Sequence, residues 1–387
     1  MPSPPPRFLT VLLTAVMAYS MLQLFLLGAF APYLNAELGV GPPLLGAAVA
    51  VGFATAALLS PVAGYLTDLL GPRTCVLGLF ALIAFALGLF AAAPNVWVLL
   101  VAVAIGGLPQ AFANPATNKV IMATFSPERR GAVTGWKQSG VQVGAFAAGL
   151  PLASLAAATD WRRAVALASV TALAMALWAA LALPVDEHRS PPRVAVVPRG
   201  AVAWLTGFSV LLGCGIASVN AHLSLFSAVE LGLGELAAGA LVAVLGVAGV
   251  AGRVAWSRAA GGRRGPDGFP ALLAWLSVVA ALLLAVAPLV PWAVWPGAAL
   301  IGVFAVAANA ISMVVVMRRA TGGRAGQDSA LVSAGFFAGF AVGPPLFGLL
   351  VETVGYQVGW LLVAAEFALA GAVALAWRLE ERRRAVA

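Results

Sequence analysis

Glu37-Leu38-Gly39-Val40-Gly41 and Glu230-Leu231-Gly232-Leu233-Gly234 are nearly the same pentapeptide, written once in each half of a 387-residue chain. Each follows a long apolar stretch, and each stands five or six residues before a new stretch rich in glycine and alanine. Two further echoes keep the same order. Asn114 in Ala-Asn-Pro-Ala returns as Asn309 in Ala-Asn-Ala-Ile, and the spacing Gly140, Gly144, Gly149 returns as Gly339, Gly343, Gly348. The second half therefore reads as a degenerate copy of the first.

With 62% hydrophobic residues and 9% charged ones, the chain cannot cover a soluble core with a polar surface, so it belongs in lipid. Twelve apolar stretches are read near 8 to 30, 43 to 65, 74 to 93, 96 to 124, 131 to 156, 164 to 183, 201 to 228, 236 to 257, 269 to 289, 292 to 316, 329 to 351 and 356 to 377. Most reach the roughly 20 residues that a helix needs to cross about 30 Å of hydrocarbon, and backbone groups in lipid must be satisfied within the segment. The expected fold is an all-α membrane protein with twelve transmembrane helices in two pseudo-symmetric six-helix bundles. Residues 1–183 form the first bundle, 184–200 a linker and 201–387 the second. Repeated halves of this kind place a binding site between the copies.

Arg162 and Arg163 fall on one side of the spans, and Lys119, Lys137 and Arg253 fall within them. All the other basic residues share the side of the two termini, which the positive-inside rule assigns to the cytoplasm of a multi-pass inner-membrane protein. The net charge of +8 follows from this sidedness and from Arg382-Arg383-Arg384 beside anionic lipid, so no nucleic-acid partner is implied. The run after Arg7 is too long for the core of a cleavable signal and pairs with span seven in the repeat, so it is read as a span. Cys75 and Cys214 lack metal-ligand spacing, and no metal or other cofactor is expected. The polar, proline-bearing segment from Pro184 to Gly200 has no room for a folded domain, which leaves the helices to carry the function.

Gly64-Tyr65-Leu66-Thr67-Asp68-Leu69-Leu70-Gly71-Pro72-Arg73 lies between spans two and three. It resembles the Gly-x-x-x-Asp-x-x-Gly-x-Arg signature of the major facilitator superfamily, at the loop and on the side where that family carries it. Phe125-Ser126-Pro127-Glu128-Arg129-Arg130-Gly131 is similar to the family's loop between spans four and five, and Asp160-Trp161-Arg162 to its start of span six. The resemblance implies a cytoplasmic latch built on Gly64, Asp68, Gly71 and Arg73, with Arg73 pairing with Glu128 and Asp68 meeting the start of span 11 near Gln327 to Ser329. The chain also departs from the pattern. Val103 stands where many members carry an arginine in span four, Gly261 replaces the acid in the second-half copy of the latch, and Leu150-Pro151 replaces a Gly-Pro pattern in span five.

The chain has only two lysines, Lys119 and Lys137, and both lie within spans. An ionisable group there costs about 2.5 to 3.5 kcal/mol on insertion scales, so it faces a cavity or a partner unless it reaches back to the surface. Lys137 lies roughly 9 to 15 Å along span five, depending on whether the helix starts at Gly131 or Pro127. Gln138 and Gln142 share its face, and a cation flanked by amides suits an anion such as a carboxylate. Lys119 points away from the Gln110, Asn114, Thr117, Asn118 stripe of span four and reads as snorkelling. Substrate-binding candidates are Lys137, Gln138, Gln142, Asn114, Asn118, Gln23, Tyr19, Asn220 and Asn309, each weighed against plain helix-to-helix hydrogen bonding. They sit on spans 1, 4, 5, 7 and 10, which line the cavity in the resembled family. Phe336, Phe337 and Phe340 offer an aromatic wall or core packing.

Glu366 and His222 are the proton-coupling candidates, because each is a titratable group well inside a span. No nucleotide loop, metal cluster or nucleophile motif supports an enzyme or an ATP-driven pump, and no catalytic residue is assigned. The expected activity is alternating-access transport of a small organic solute, an anion such as a carboxylate, by a monomer in the bilayer, with a proton as candidate co-substrate. The alternative is proton-driven export of drugs or other lipophilic compounds, which normally needs a cavity carboxylate that the sequence does not supply.

Overall fold

The computed structural model describes residues 6–183, 200–260, 267–319 and 325–386. Among these, 12 helices are long and apolar enough to cross a membrane. In chain order they are α1 (Pro6–Ala29), α2 (Pro42–Leu70), α3 (Pro72–Ala91), α4 (Val96–Thr124), α5 (Pro127–Ala147, continuing to Ala158), α6 (Trp161–Ala182), α7 (Ala201–Val229), α8 (Glu235–Ala260), α9 (Phe269–Val286), α10 (Val294–Ile301, continuing to Arg319), α11 (Ala325–Val354) and α12 (Tyr356–Val386). The pentapeptides that reveal the repeat end helices in the same way. Gly39 and Gly232 both have φ of 66°, a left-handed conformation that favours glycine and turns the chain toward the next span.

Two helices carry a π-helical turn. In α5 it covers Ala148–Leu152 and contains Pro151, whose missing N–H and ring force the regular ladder to open. In α10 it covers Gly302–Val306, directly before the segment that bears Asn309. Helix α5 starts at Pro127 behind Ser126, the longer of the two starts the sequence allowed, although the Ser126 side chain makes no capping bond.

The packing repeats with the sequence. In the first half α1 lies on α5, α2 on α4, and α3 on α4 and α6; in the second, α7 lies on α11, α8 on α10, and α9 on α10 and α12. The paired glycines make this possible. A Cβ at Gly140 would overlap the backbone of Thr14 on α1, as one at Gly339 would overlap Val210 on α7. One turn on, Gly144 meets Ala18 and Gly343 meets Cys214. The third glycine of each set turns to the other half: Gly149 meets Ala243 on α8, and Gly348 meets Pro42 at the start of α2. Small residues at these places bring backbones into van der Waals contact, the main cohesive force between helices in lipid.

The described contacts between halves gather toward the side away from the termini. There Gly28 abuts Asn220, Gly46 abuts Pro344, and Ser224 Oγ donates to Ala29 O at 3.3 Å. Deeper in, Phe53 on α2 stacks against Phe340 at 4.6 Å and Phe337 at 5.9 Å between ring centroids. Phe337 and Phe340 thus form a plug across the α2–α11 seam, with Phe336 at 4.5 Å from Phe340. On the α5–α8 seam, Gly246 and Gly249 press on Gln142, and one turn nearer the terminal side Arg253 Nη1 donates to Gln138 O. The far side is sealed down to about mid-span.

Candidate functional site

Lys137 stands about ten residues into α5, roughly 15 Å from its terminal-side end at 1.5 Å per residue. Its side chain is fully buried. Nζ donates to Asn118 Oδ1 at 2.6 Å, Thr117 Oγ1 at 2.7 Å and Asn114 Oδ1 at 3.3 Å, all on α4. Three donors meet three acceptors, so the ammonium is saturated in this conformation. Gln138 Nε2 also donates to Asn114 Oδ1, at 3.0 Å. The sequence stripe on α4 and the polar face of α5 therefore meet each other as one network, with Asn118 exposed and Asn114 half-buried over the lysine.

A residue that sequence reasoning counted only as a charge completes the network. Arg253 on α8 reaches across from the second half and donates Nη1 to the main-chain oxygen of Gln138 at 2.7 Å. Its Nε is enclosed without a hydrogen-bond partner. Among the described residues, neither Lys137 nor Arg253 has a carboxylate partner, whereas Arg162 pairs with Glu37 and Arg163 with Asp160 at the far surface. Hydrogen bonds to neutral oxygens hold the two cations but leave their positive charge uncompensated, which favours an anion beside them.

The other candidates distribute around this centre. Gln142 is buried one turn above Gln138 with Oε1 unpartnered, its chain packed against Gly249. Gln23 donates Nε2 to Ala102 O at 3.0 Å and fits against Gly106, tying α1 to α4. With Gln110, whose Oε1 is unpartnered, it borders a small void beside Gly52 and Phe53. Tyr19 is turned elsewhere. Its hydroxyl donates to Thr171 Oγ1 on α6 at 2.8 Å and its ring meets Phe80 on α3, beside an apolar cavity of about 240 Å³ between α1, α5 and α6. Asn220 lies in the closed α1–α7 seam and Asn309 on α10 beyond the π turn, each with Oδ1 enclosed and unpartnered.

His222 places both ring nitrogens on backbone oxygens, Nδ1 3.2 Å from Ser218 O and Nε2 3.0 Å from Pro42 O, so it staples α7 to α2 at the sealed side. Glu366 is buried on α12 with Oε2 unpartnered, and α12 packs on α7 and α9. Of the latch, Gly71 has φ of 90° and forms the sharp turn between α2 and α3, a conformation open to glycine. Arg73 Nη2 donates to Ala180 O on α6 at 2.6 Å. Gly64 and the side chains of Asp68 and Glu128 lie outside the described positions. Lys119 Nζ donates to Thr67 O, one of the last carbonyls of α2, at 3.2 Å, which gives that lysine a place at the latch end of the bundle.

The family model described as Major Facilitator Superfamily matches residues 12–331. A search of curated protein sequences finds no match. Among solved structures, a bacterial homolog to the human lysosomal transporter Spinster, in inward-facing and occupied conformation, is 14% identical with a TM-score of 0.76 and 98% of each chain covered. The inward-facing and unoccupied conformation of a bacterial Spinster homolog is 15% identical at 0.78, over 97% of this chain and 98% of that one. A D-xylose-proton symporter is 17% identical at 0.78, over 95% and 97%. At these identities the likeness concerns the fold. Together with the matched family model, the twelve spans and the repeated packing of the two halves, it leads to one conclusion: the chain belongs to the major facilitator superfamily of secondary transporters.

Proposed function

We propose that this transporter moves a small organic anion, with a carboxylate as its charged group, across the cytoplasmic membrane. The observation that supports this most is the pair Lys137 and Arg253, two cations within the spans with neutral partners alone among the described residues. A bound anion would supply the missing counter-charge, and the amides of Asn114, Asn118 and Gln138 would frame it. A cationic cargo would meet repulsion at the same place.

The distribution of basic residues supports termini in the cytoplasm, and with that orientation the sealed side is the outer one. Residues 1–183 and 201–387 then rock as two bundles about the cluster, with 184–200 as their cytoplasmic linker and a single chain sufficient for transport. Substrate binding at the boundary, release of the Asp68–Arg73 latch and reopening on the far side are the steps of the cycle. For proton coupling, Glu366 and His222 remain the candidates within the chain, and an organic acid that arrives protonated is the third carrier.

The test is uptake by proteoliposomes of a radiolabelled carboxylate panel, with and without a pH gradient. Accumulation of at least one carboxylate, blocked by unlabelled carboxylates and indifferent to organic cations, is expected. Movement of cationic or neutral compounds alone would remove the anion reading.

A further inference from the structure

We propose that Arg253, rather than Lys137, makes the direct contact with the anion, and that the contact is a two-pronged one to a planar carboxylate. The proposal rests on the anion reading above and assigns its ligand atoms. Lys137 has no donor left to give, since its three N–H groups are spent on Asn114, Thr117 and Asn118 and its side chain is fully enclosed. A guanidinium carries five N–H donors, and among the described partners that of Arg253 uses one, on Gln138 O. The residue is half-buried, and Nη2, unlike Nε, is not enclosed.

The position follows from the shape of the seam. Gly246 and Gly249 press α8 against α5 at Gln142. One turn further toward the terminal side, position 253 bears a long side chain that bridges to Gln138 where a glycine had sufficed above. Arg253 therefore stands one turn beyond the glycine-packed part of the seam between the halves.

The lysine shapes this site without touching its ligand. An ammonium only donates, so it fixes the amides of Asn114 and Asn118 with Oδ1 toward Nζ. Their NH2 groups then point away from Nζ, with Asn118 exposed and Asn114 half-buried. The result is an edge rich in donors: the Arg253 fork from the second half and two amide NH2 groups from the first, with the charge of Lys137 behind them. Such a set takes a carboxylate held between the halves, and its planar oxygens match the guanidinium fork. Because one half contributes the arginine and the other the amides, the bound anion would join the bundles at the point about which they move.

The experiment is isothermal titration of the purified full-length protein in detergent with benzoate and with acetate, minimal planar carboxylates. Wild type is expected to bind at least one of them. Arg253→Gln should weaken that binding about 10- to 150-fold, the worth of a hydrogen bond to a charged group. Arg253→Lys should weaken it less than Arg253→Gln yet clearly, because charge survives and the fork does not. Arg253→Gln within threefold of wild type, in protein with unchanged helicity and elution, would overturn the assignment and leave the anion reading standing. Should Arg253→Gln not fold, Arg253→Lys decides alone, and full affinity there overturns the two-pronged contact. If wild type binds neither carboxylate, the anion reading itself fails and takes this assignment with it.

Discussion

Replacing Lys137 by glutamine separates what the residue does for stability from what it does for binding. Keeping an ammonium in the interior costs several kcal/mol after relaxation. Against that stand two short hydrogen bonds and one long one, at 2.6, 2.7 and 3.3 Å, each charged bond contributing about 1.5 to 3 kcal/mol. The two terms nearly cancel, so Lys137→Gln, which keeps a donor for the α4 oxygens, should change the melting temperature by only a few degrees. Binding has no such offset. If one layer of amide separates Nζ from the ligand, the charges lie about 7 Å apart and interact by about 2.4 kcal/mol at an effective dielectric of about 20. Loss of that term weakens an anion about 50-fold. Titration of benzoate against wild type and variant, alongside thermal unfolding in the same detergent, reads both numbers. A loss of affinity under threefold with stability intact would refute the electrostatic role, and collapse of the fold would refute the near-cancellation.

Other perturbations test the remaining parts. Gly149→Leu places a side chain against the backbone of Ala243, an overlap that costs about 1 to 3 kcal/mol and shifts the equilibrium away from the far-side-sealed state about 5- to 150-fold; maleimide labelling of an Asn220→Cys probe should rise, and unchanged labelling would contradict the seam. Asp68→Asn should slow turnover strongly and leave substrate affinity within a few-fold, because it alters populations more than the site; wild-type turnover would remove the latch role. If transport is proton-coupled and one of the two residues carries the proton, Glu366→Gln or His222→Gln should uncouple accumulation from a pH gradient while exchange down a substrate gradient persists. Full gradient-driven accumulation in both variants would assign the proton to the substrate.

The fold was legible because lipid narrows the choices. Apolar length fixes the spans, and the doubled glycines, read as a pattern in sequence, turn out to be the points where α5 meets α1 and α11 meets α7. The span ends moved by a few residues, since helices such as α2, α8 and α12 run on past the apolar stretch into polar sequence. The site was legible only in part. Helical spacing gathers Lys137 with Gln138 and Gln142 and gathers Asn114 with Asn118, yet it does not say that the two stripes face each other and saturate the lysine. Tyr19 shows the same gap, because a span's polar residue points wherever a partner stands, and Thr171 on α6 stood there. Arg253 was visible as a charge within a span. Its importance depends on the α5–α8 seam, a contact between halves that a single sequence does not encode in any local pattern. The π turns were likewise hidden, although Pro151 marked one of them.

Charge on the cargo is what the cluster is expected to recognise. The most direct measurement of this is binding of benzoate beside benzamide, an uncharged molecule of nearly the same shape, to purified wild-type protein at one ionic strength. Benzoate is expected to bind at least tenfold more tightly, with the difference erased in the Lys137→Gln, Arg253→Gln double variant. Equal affinity for the two in wild type would contradict it.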